Sequence, residues 1–239
     1  KNMNLLLKLI YESTLKEDDD FNFKDCIEYA KHNPIPHEKL LLKNKDGKIL
    51  LHTALQKGCN NIDFIKLLIT PEVLTMVDKG GGTPLHHTLW EGIDSEIIKV
   101  LITPEVLTMV YDYGRTPLHH ALYNRCNLEI IKLLITPEVL TMGDVYGGTP
   151  LHLALDKWLD KEIINQLITP EVLVTTNKDG RTPLHSFLCY SWYECVDTVK
   201  LLITPEILTM VNSYGETPLH VALNRRFINT EYIKLLTTP

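Results

Sequence analysis

Thr-Pro-Leu-His occurs at residues 83–86, 116–119, 149–152, 182–185 and 217–220, and Ile49-Leu50-Leu51-His52 is a degenerate sixth copy. The histidines follow one another at intervals of 34, 33, 33, 33 and 35 residues. Self-similarity at a period near 33 marks a stacked array of small units, none of which buries its apolar face alone. This spacing overrides the reading of a 239-residue chain with 44% apolar residues as one or two ordinary globular domains. An elongated domain with a continuous core is expected, and recognition rather than catalysis.

One unit shows the local logic. Gly114 sits where a turn needs positive φ, Thr116 is an N-cap, and Pro117 takes the first helical position, where its missing N–H costs nothing. Leu118, Ala121 and Leu122 give an inner helix over 117–123 its apolar face. A polar turn at 124–127 leads to an outer helix over 128–135, apolar around most of its circumference and therefore covered by neighbouring units. The same pattern predicts outer helices at 62–69, 95–102, 161–168, 196–203 and 230–236. Two more helices are expected at 5–15 and 23–31, forming with the charged loop 16–20 an N-terminal cap or degenerate repeat over 1–43. Six repeats then occupy about 44–77, 78–110, 111–143, 144–176, 177–211 and 212–239.

These residues resemble the ankyrin-repeat family, whose unit is a turn followed by two antiparallel helices with Thr-Pro-Leu-His-x-Ala near its start. The match spans 44–239 in five in-register copies. The resemblance implies an all-α ankyrin-repeat solenoid of stacked helix-turn-helix repeats. It also implies a protein-binding role, carried by turn tips and inner-helix faces along a concave groove, with no catalytic residues.

The chain departs from the family after each outer helix. Where Gly-Ala and a hairpin finger normally follow, it has Thr-Pro-Glu-Val-Leu or a near copy at 70–74, 103–107, 136–140, 169–173 and 204–208. Proline cannot continue the outer helix. A Thr N-cap, Pro at the first position and a first-turn Glu instead favour a new short helix in place of part of each finger.

Net charge is −6, and no basic stripe with interleaved aromatics is present, which argues against nucleic acid as a partner. No run of 18 apolar residues exists, so no membrane association is expected. Five cysteines, an odd number without a Cys-x-x-Cys pair, suggest a reducing, cytoplasmic compartment. The chain starts at Lys1 and closes on Thr238-Pro239, which restarts the repeated motif, and is expected to be part of a longer polypeptide acting as a monomer.

No cofactor, metal or catalytic residue is expected. The motif histidines have no carboxylate or cysteine at i+4 to complete a metal site, and are read as ties to backbone or threonine of their own or the next repeat. His87 and His120 are expected on the groove-facing surface. Lys79-Gly80-Gly81-Gly82-Thr83 lacks the spacing of a phosphate loop. His185, Ser186 and Cys189 are too close along one helix to surround a substrate atom.

What varies between repeats carries the remaining signal. At the tips and inner-helix ends stand Trp90, Glu91, Tyr111, Tyr113, Tyr123, Asn124, Tyr146, Tyr190, Tyr214 and Arg225. Tyr, Trp and Arg combine area, a polar handle and low entropy loss, and these ten are the expected partner-binding residues. Trp158 and Trp192 are read as local packing or rim residues. The expected function is a non-catalytic protein-interaction scaffold, with a host-directed effector, acting in host cytoplasm, as a variant. The alternative is an array that docks a substrate for a catalytic domain outside the sequence.

Overall fold

The computed structural model describes residues 23–91, 94–190, 195–224 and 230–237, with backbone alone at 23, 25, 26, 90, 91 and 190. The helix expected at 5–15 lies outside the described residues. Helices Phe23–His32 and His37–Leu40 open the described part. A cycle of three helices then recurs. Inner helices run Leu50–Gln56, Pro84–Glu91, Pro117–Tyr123, Pro150–Asp156, Pro183–Tyr190 and Pro218–Leu223. Outer helices run Ile62–Leu68, Ser95–Leu101, Leu128–Leu134, Lys161–Leu167, Val196–Leu202 and Thr230–Thr237. Short third helices run Pro71–Thr75, Pro104–Thr108, Pro137–Thr141, Pro170–Val174 and Pro205–Thr209. No strand forms among the described residues, and the fold class is all-α, built of recurring short helices.

The third helices form at each Thr-Pro-Glu for the reasons the sequence supplied. Thr136 is extended (φ −134°, ψ 156°), accepts the Val139 amide at 3.2 Å, and Pro137 follows at the first helical position. Val139 and Leu140 are buried, so each short helix is anchored to the core. Five outer helices stop one residue earlier than the pattern predicts, for example at Leu134, while the last, Thr230–Thr237, runs one residue longer. Because Thr136 must be extended both as a pre-proline residue and as an N-cap, the chain leaves the helix at Ile135 (φ −80°, ψ 123°).

The helices gather into two compact units, Lys1–Asp112 and Tyr113–Pro239. In the first, inner helix Leu50–Gln56 packs on Pro84–Glu91, outer helix Ile62–Leu68 on Ser95–Leu101, and third helix Pro71–Thr75 on Pro104–Thr108; Phe23–His32 covers Ile62–Leu68. In the second, inner helices at 117–123, 150–156, 183–190 and 218–223 pack in sequence, with outer and third helices each forming a row of their own. Leu118, Ala121, Leu122, Leu151, Ala154, Leu184 and Leu188 have no exposed surface and form its core. Burial of each leucine among them contributes about 1.5–3 kcal/mol.

Candidate protein-binding site

The motif histidine builds the site indirectly. In Thr116-Pro117-Leu118-His119, the His119 Nδ1 lies 2.8 Å from Thr116 Oγ1 and accepts the Thr116 amide at 3.3 Å. The result is a capping box in which histidine stands where Glu or Gln is usual. The other ring nitrogen, Nε2, donates to the Gly148 carbonyl in the next repeat at 3.1 Å. His52, His152 and His185 do the same to the carbonyls of Gly82, Arg181 and Glu216, at 2.9–3.0 Å. A carbonyl only accepts, and Nδ1 is accepting an N–H, so each ring is neutral with its proton on Nε2. Burial pushes the pKa of His52, His119 and His152 down to about 4, only partly offset by the bond to the carbonyl.

Each carbonyl reached this way also closes a turn tip. Gly148 O accepts the Asp144 amide at 3.0 Å as well as the His119 ring, filling both lone pairs. Gly82, Arg181 and Glu216 carbonyls likewise accept the amides of Asp78, Asn177 and Asn212 at 2.9–3.0 Å. In the tips that begin with Asp or Asn a side-chain oxygen takes two amides, an arrangement the 111–115 tip, which begins with Tyr111, does not share: Asp144 Oδ1 binds the amides of Tyr146 and Gly148 at 2.9 and 3.0 Å. Asn44, Asp78, Asn177 and Asn212 repeat this arrangement. Neighbouring tips are strung together, Val145 N to Tyr113 O at 2.8 Å, Lys178 N to Tyr146 O and Ser213 N to Asp179 O both at 2.9 Å. Gly180 shows how tight this is: it has φ +68°, and a Cβ there would stand 2.8 Å from Ser213 N.

On these fixed tips in the second unit, tyrosines point to solvent. Tyr113, Tyr146 and Tyr214 are 54%, 61% and 69% exposed, and Tyr123 at the inner-helix end is 38% exposed. The Tyr113 and Tyr146 rings stack, with centroids 6.4 Å apart and planes 24° from parallel. Arg115 lies over Tyr113 (5.3 Å) and Tyr123 (4.8 Å), Lys157 Nζ is 3.9 Å from the Tyr123 centroid, and Arg181 is 5.9 Å from that of Tyr214. Asn124, half-buried, ends the inner helix with its amide bonded to the His120 carbonyl at 3.0 Å.

Tyr111, in the first unit, has a different fate. It is half-buried, edge-on to His86 at 5.6 Å, and lies over Gly80, where a Cβ would come within 3.0 Å of its ring. Its ring therefore packs the adjacent tip rather than projecting. His87 is half-buried and bonded to Asp78 at 2.9 Å. His120, expected at the surface, is buried. Pro117 through Leu122 are all covered, so the exposed end of this inner helix begins only at Tyr123. Trp90, Glu91 and Tyr190 close their inner helices by backbone, with side chains outside the described residues, and Arg225 lies outside them altogether. Trp158 packs on Phe187, ring centroids 5.7 Å apart. Sequence reasoning missed Arg115 and Arg181, which directly follow the tip glycines Gly114 and Gly180.

Among the described residues no three His, Cys, Asp or Glu side chains come together as a metal site, and no helix is long and apolar enough to cross a membrane. Hydrogen-bonded tips bearing exposed aromatic rings, above a core of stacked short helices, define a helical-repeat module. The family model for ankyrin repeats in three copies matches residues 92–175 and 157–238, more than half of the chain, and the chain belongs to the ankyrin-repeat family, whose repeats form protein–protein interaction domains. The ankyrin-repeat domain of Bcl-3, a member of the IkappaB family, is similar at TM-score 0.64 and 18% identity, covering 98% of this chain and 97% of its own. A chain from the complex of the predatory endopeptidase Bd0816 of Bdellovibrio bacteriovorus with the immunity protein Bd3460 is similar at TM-score 0.58 and 24% identity, covering 78% of this chain and 96% of its own. No curated protein matches the chain.

Proposed function

We propose that the chain is a non-catalytic docking module whose partner protein lies across the tyrosine-bearing tips and inner-helix ends of residues 113–239. One observation carries the reading: Tyr113, Tyr123, Tyr146 and Tyr214 are exposed, the tips that carry Tyr146 and Tyr214 are closed by hydrogen bonds, and the Tyr113 carbonyl is tied to the Val145 amide of the next tip. Large rings on a rigid frame lose little entropy on binding, which is what concentrates affinity at a few anchors. Tyr111, half-buried against Gly80 and His86, shows the packed alternative. The odd cysteine count supports a reducing, cytoplasmic setting, and we take one copy of the chain to act per partner. Docking for a host-directed effector uses the same face.

The test is affinity capture of partners with the wild-type chain, followed by dissociation constants for wild type and for a Tyr113→Ser, Tyr146→Ser double variant. A loss of about 30-fold or more, with an unchanged helical spectrum, is expected. Unchanged affinity in the folded double variant would remove this face from the account.

A further inference from the structure

We propose that the partner presents a carboxylate, from a glutamate or aspartate side chain, to Arg115 and Lys157 beside Tyr123; this rests on the docking reading above and names the chemistry it requires. Two cations from consecutive repeats converge on one ring. Arg115 follows the tip Gly114 and reaches within 4.8 Å of the Tyr123 centroid, while Lys157, just past the end of the next inner helix, comes within 3.9 Å. The chain as a whole is acidic, at −6, yet neither cation forms an ion pair or side-chain hydrogen bond among the described residues.

Three other cations of this unit, Arg181, Lys161 and Lys200, are matched to carboxylates. Arg181 lies 3.4 Å from Asp179, and Lys161 and Lys200 flank Asp197 at 3.3 and 3.9 Å. Arg115 is held instead between the Tyr113 and Tyr123 rings, and its Nε is buried without an acceptor. A desolvated donor left without a partner is costly, and the two positive charges repel. An incoming anion offsets the repulsion and gives the terminal N–H groups of the guanidinium an acceptor. The rings also hold the guanidinium in place, so that less side-chain freedom is lost when an acceptor arrives.

Carboxylate fits better than phosphate. The guanidinium fork matches a carboxylate in two parallel hydrogen bonds, with the Lys157 ammonium as a neighbouring point charge. The nearby tip amides that would help hold a phosphate, Tyr146 N and Gly148 N, are already taken by Asp144 Oδ1. Asp144 and Asp156 are the acids of the same tip and inner helix, and each adds repulsion that a dianion feels twice. The stacked Tyr113 and Tyr146 rings beside the cations offer the partner an apolar shoulder next to its acid.

The test uses a phage-displayed random dodecapeptide library selected on the whole chain. Selected peptides are resynthesised with each acid as Glu, Gln or phosphoserine, and titrated against wild type, Arg115→Gln, Lys157→Gln and Arg115→Lys. The expected binders share an Asp or Glu at one position. Arg115→Gln and the peptide's Glu→Gln each weaken binding about tenfold, and together hardly more than either alone, the mark of a direct pair. Arg115→Lys, which keeps the charge, restores part of the loss and guards against misfolding as the cause. Binders without a shared acid, or losses that multiply in the doubly altered pair, overturn the carboxylate contact and leave the docking reading standing if Tyr113→Ser still abolishes binding. Tighter binding of the phosphoserine peptide, competed by inorganic phosphate, overturns carboxylate in favour of phosphate. A library that yields no binder overturns the docking reading and this inference with it.

Discussion

Replacing His119 by glutamine costs stability in a manner that depends on pH, and the size of that dependence follows from the two hydrogen bonds of the ring. The folded ring is neutral, since Nδ1 accepts the Thr116 amide and Nε2–H donates to Gly148. Protonating Nδ1 would set one N–H against another. Burial accordingly lowers the folded pKa from 6.5 to about 4. Below pH 6.5 the unfolded chain takes up a proton that the folded chain refuses, so the stability held by this ring at neutral pH falls as pH drops through the window from 6.5 to 4. Linkage gives a loss of about 2 kcal/mol between pH 7.5 and 5.0, and about 3 kcal/mol once pH is below 4. Glutamine does not titrate. The assay is urea unfolding of wild type and His119→Gln at both pH values, which cancels the carboxylates common to the two proteins. The cost of the substitution should be about 2 kcal/mol smaller at pH 5.0 than at pH 7.5. A cost equal at the two pH values, or a His119 ring that titrates near 6.5 by NMR in the folded protein, would refute the neutral ring.

Three further outcomes follow from the same geometry. Gly180→Ala forces a Cβ to within 2.8 Å of Ser213 N at φ +68° and should cost about 2 kcal/mol or more, whereas Gly215→Ala, with φ +75° and nothing within 4 Å, should cost only about 1 kcal/mol in the same unfolding experiment. Thr136→Ala removes the acceptor for the Val139 amide and should cost about 1 kcal/mol, with Thr136→Ser restoring most of it in thermal unfolding. Tyr146→Ala, losing only an exposed ring stacked on Tyr113, should change unfolding free energy by less than about 1 kcal/mol.

The frame was legible because proline and threonine act locally. Thr116-Pro117 starts a helix and Thr136-Pro137 stops one and starts another, whatever lies around them, and both helices stand where those dipeptides put them. The early stop of the first five outer helices has the same local source, since the extended pre-proline threonine draws residues such as Ile135 out of the helix. The functional face was half legible. Tyr111 and Tyr113 are the same residue type two positions apart, but one packs over Gly80 while the other stands 54% exposed, a difference set by the neighbouring tip and invisible in a single repeat. Arg115 and Arg181 were missed because the residue after the tip glycine follows no pattern, being Lys48, Gly82, Arg115, Gly148, Arg181 and Glu216 in turn. His120 was misplaced because a helix of seven residues covered through Leu122 has almost no open face.

The motif histidine links these two layers. At His52, His119, His152 and His185 its Nε2 completes the carbonyl that closes the next tip, and at His119 this fixes the tip that carries Tyr146. The invariant part of the repeat thus acts through the variable part by positioning it.

Photo-crosslinking tests the central claim most directly. A benzoylphenylalanine in place of Tyr146 should capture the bound partner, while the same group in place of Glu138, exposed on the third helix of that repeat, should not. Capture from position 138 but not from 146 would contradict the assignment of docking to the tyrosine-bearing face.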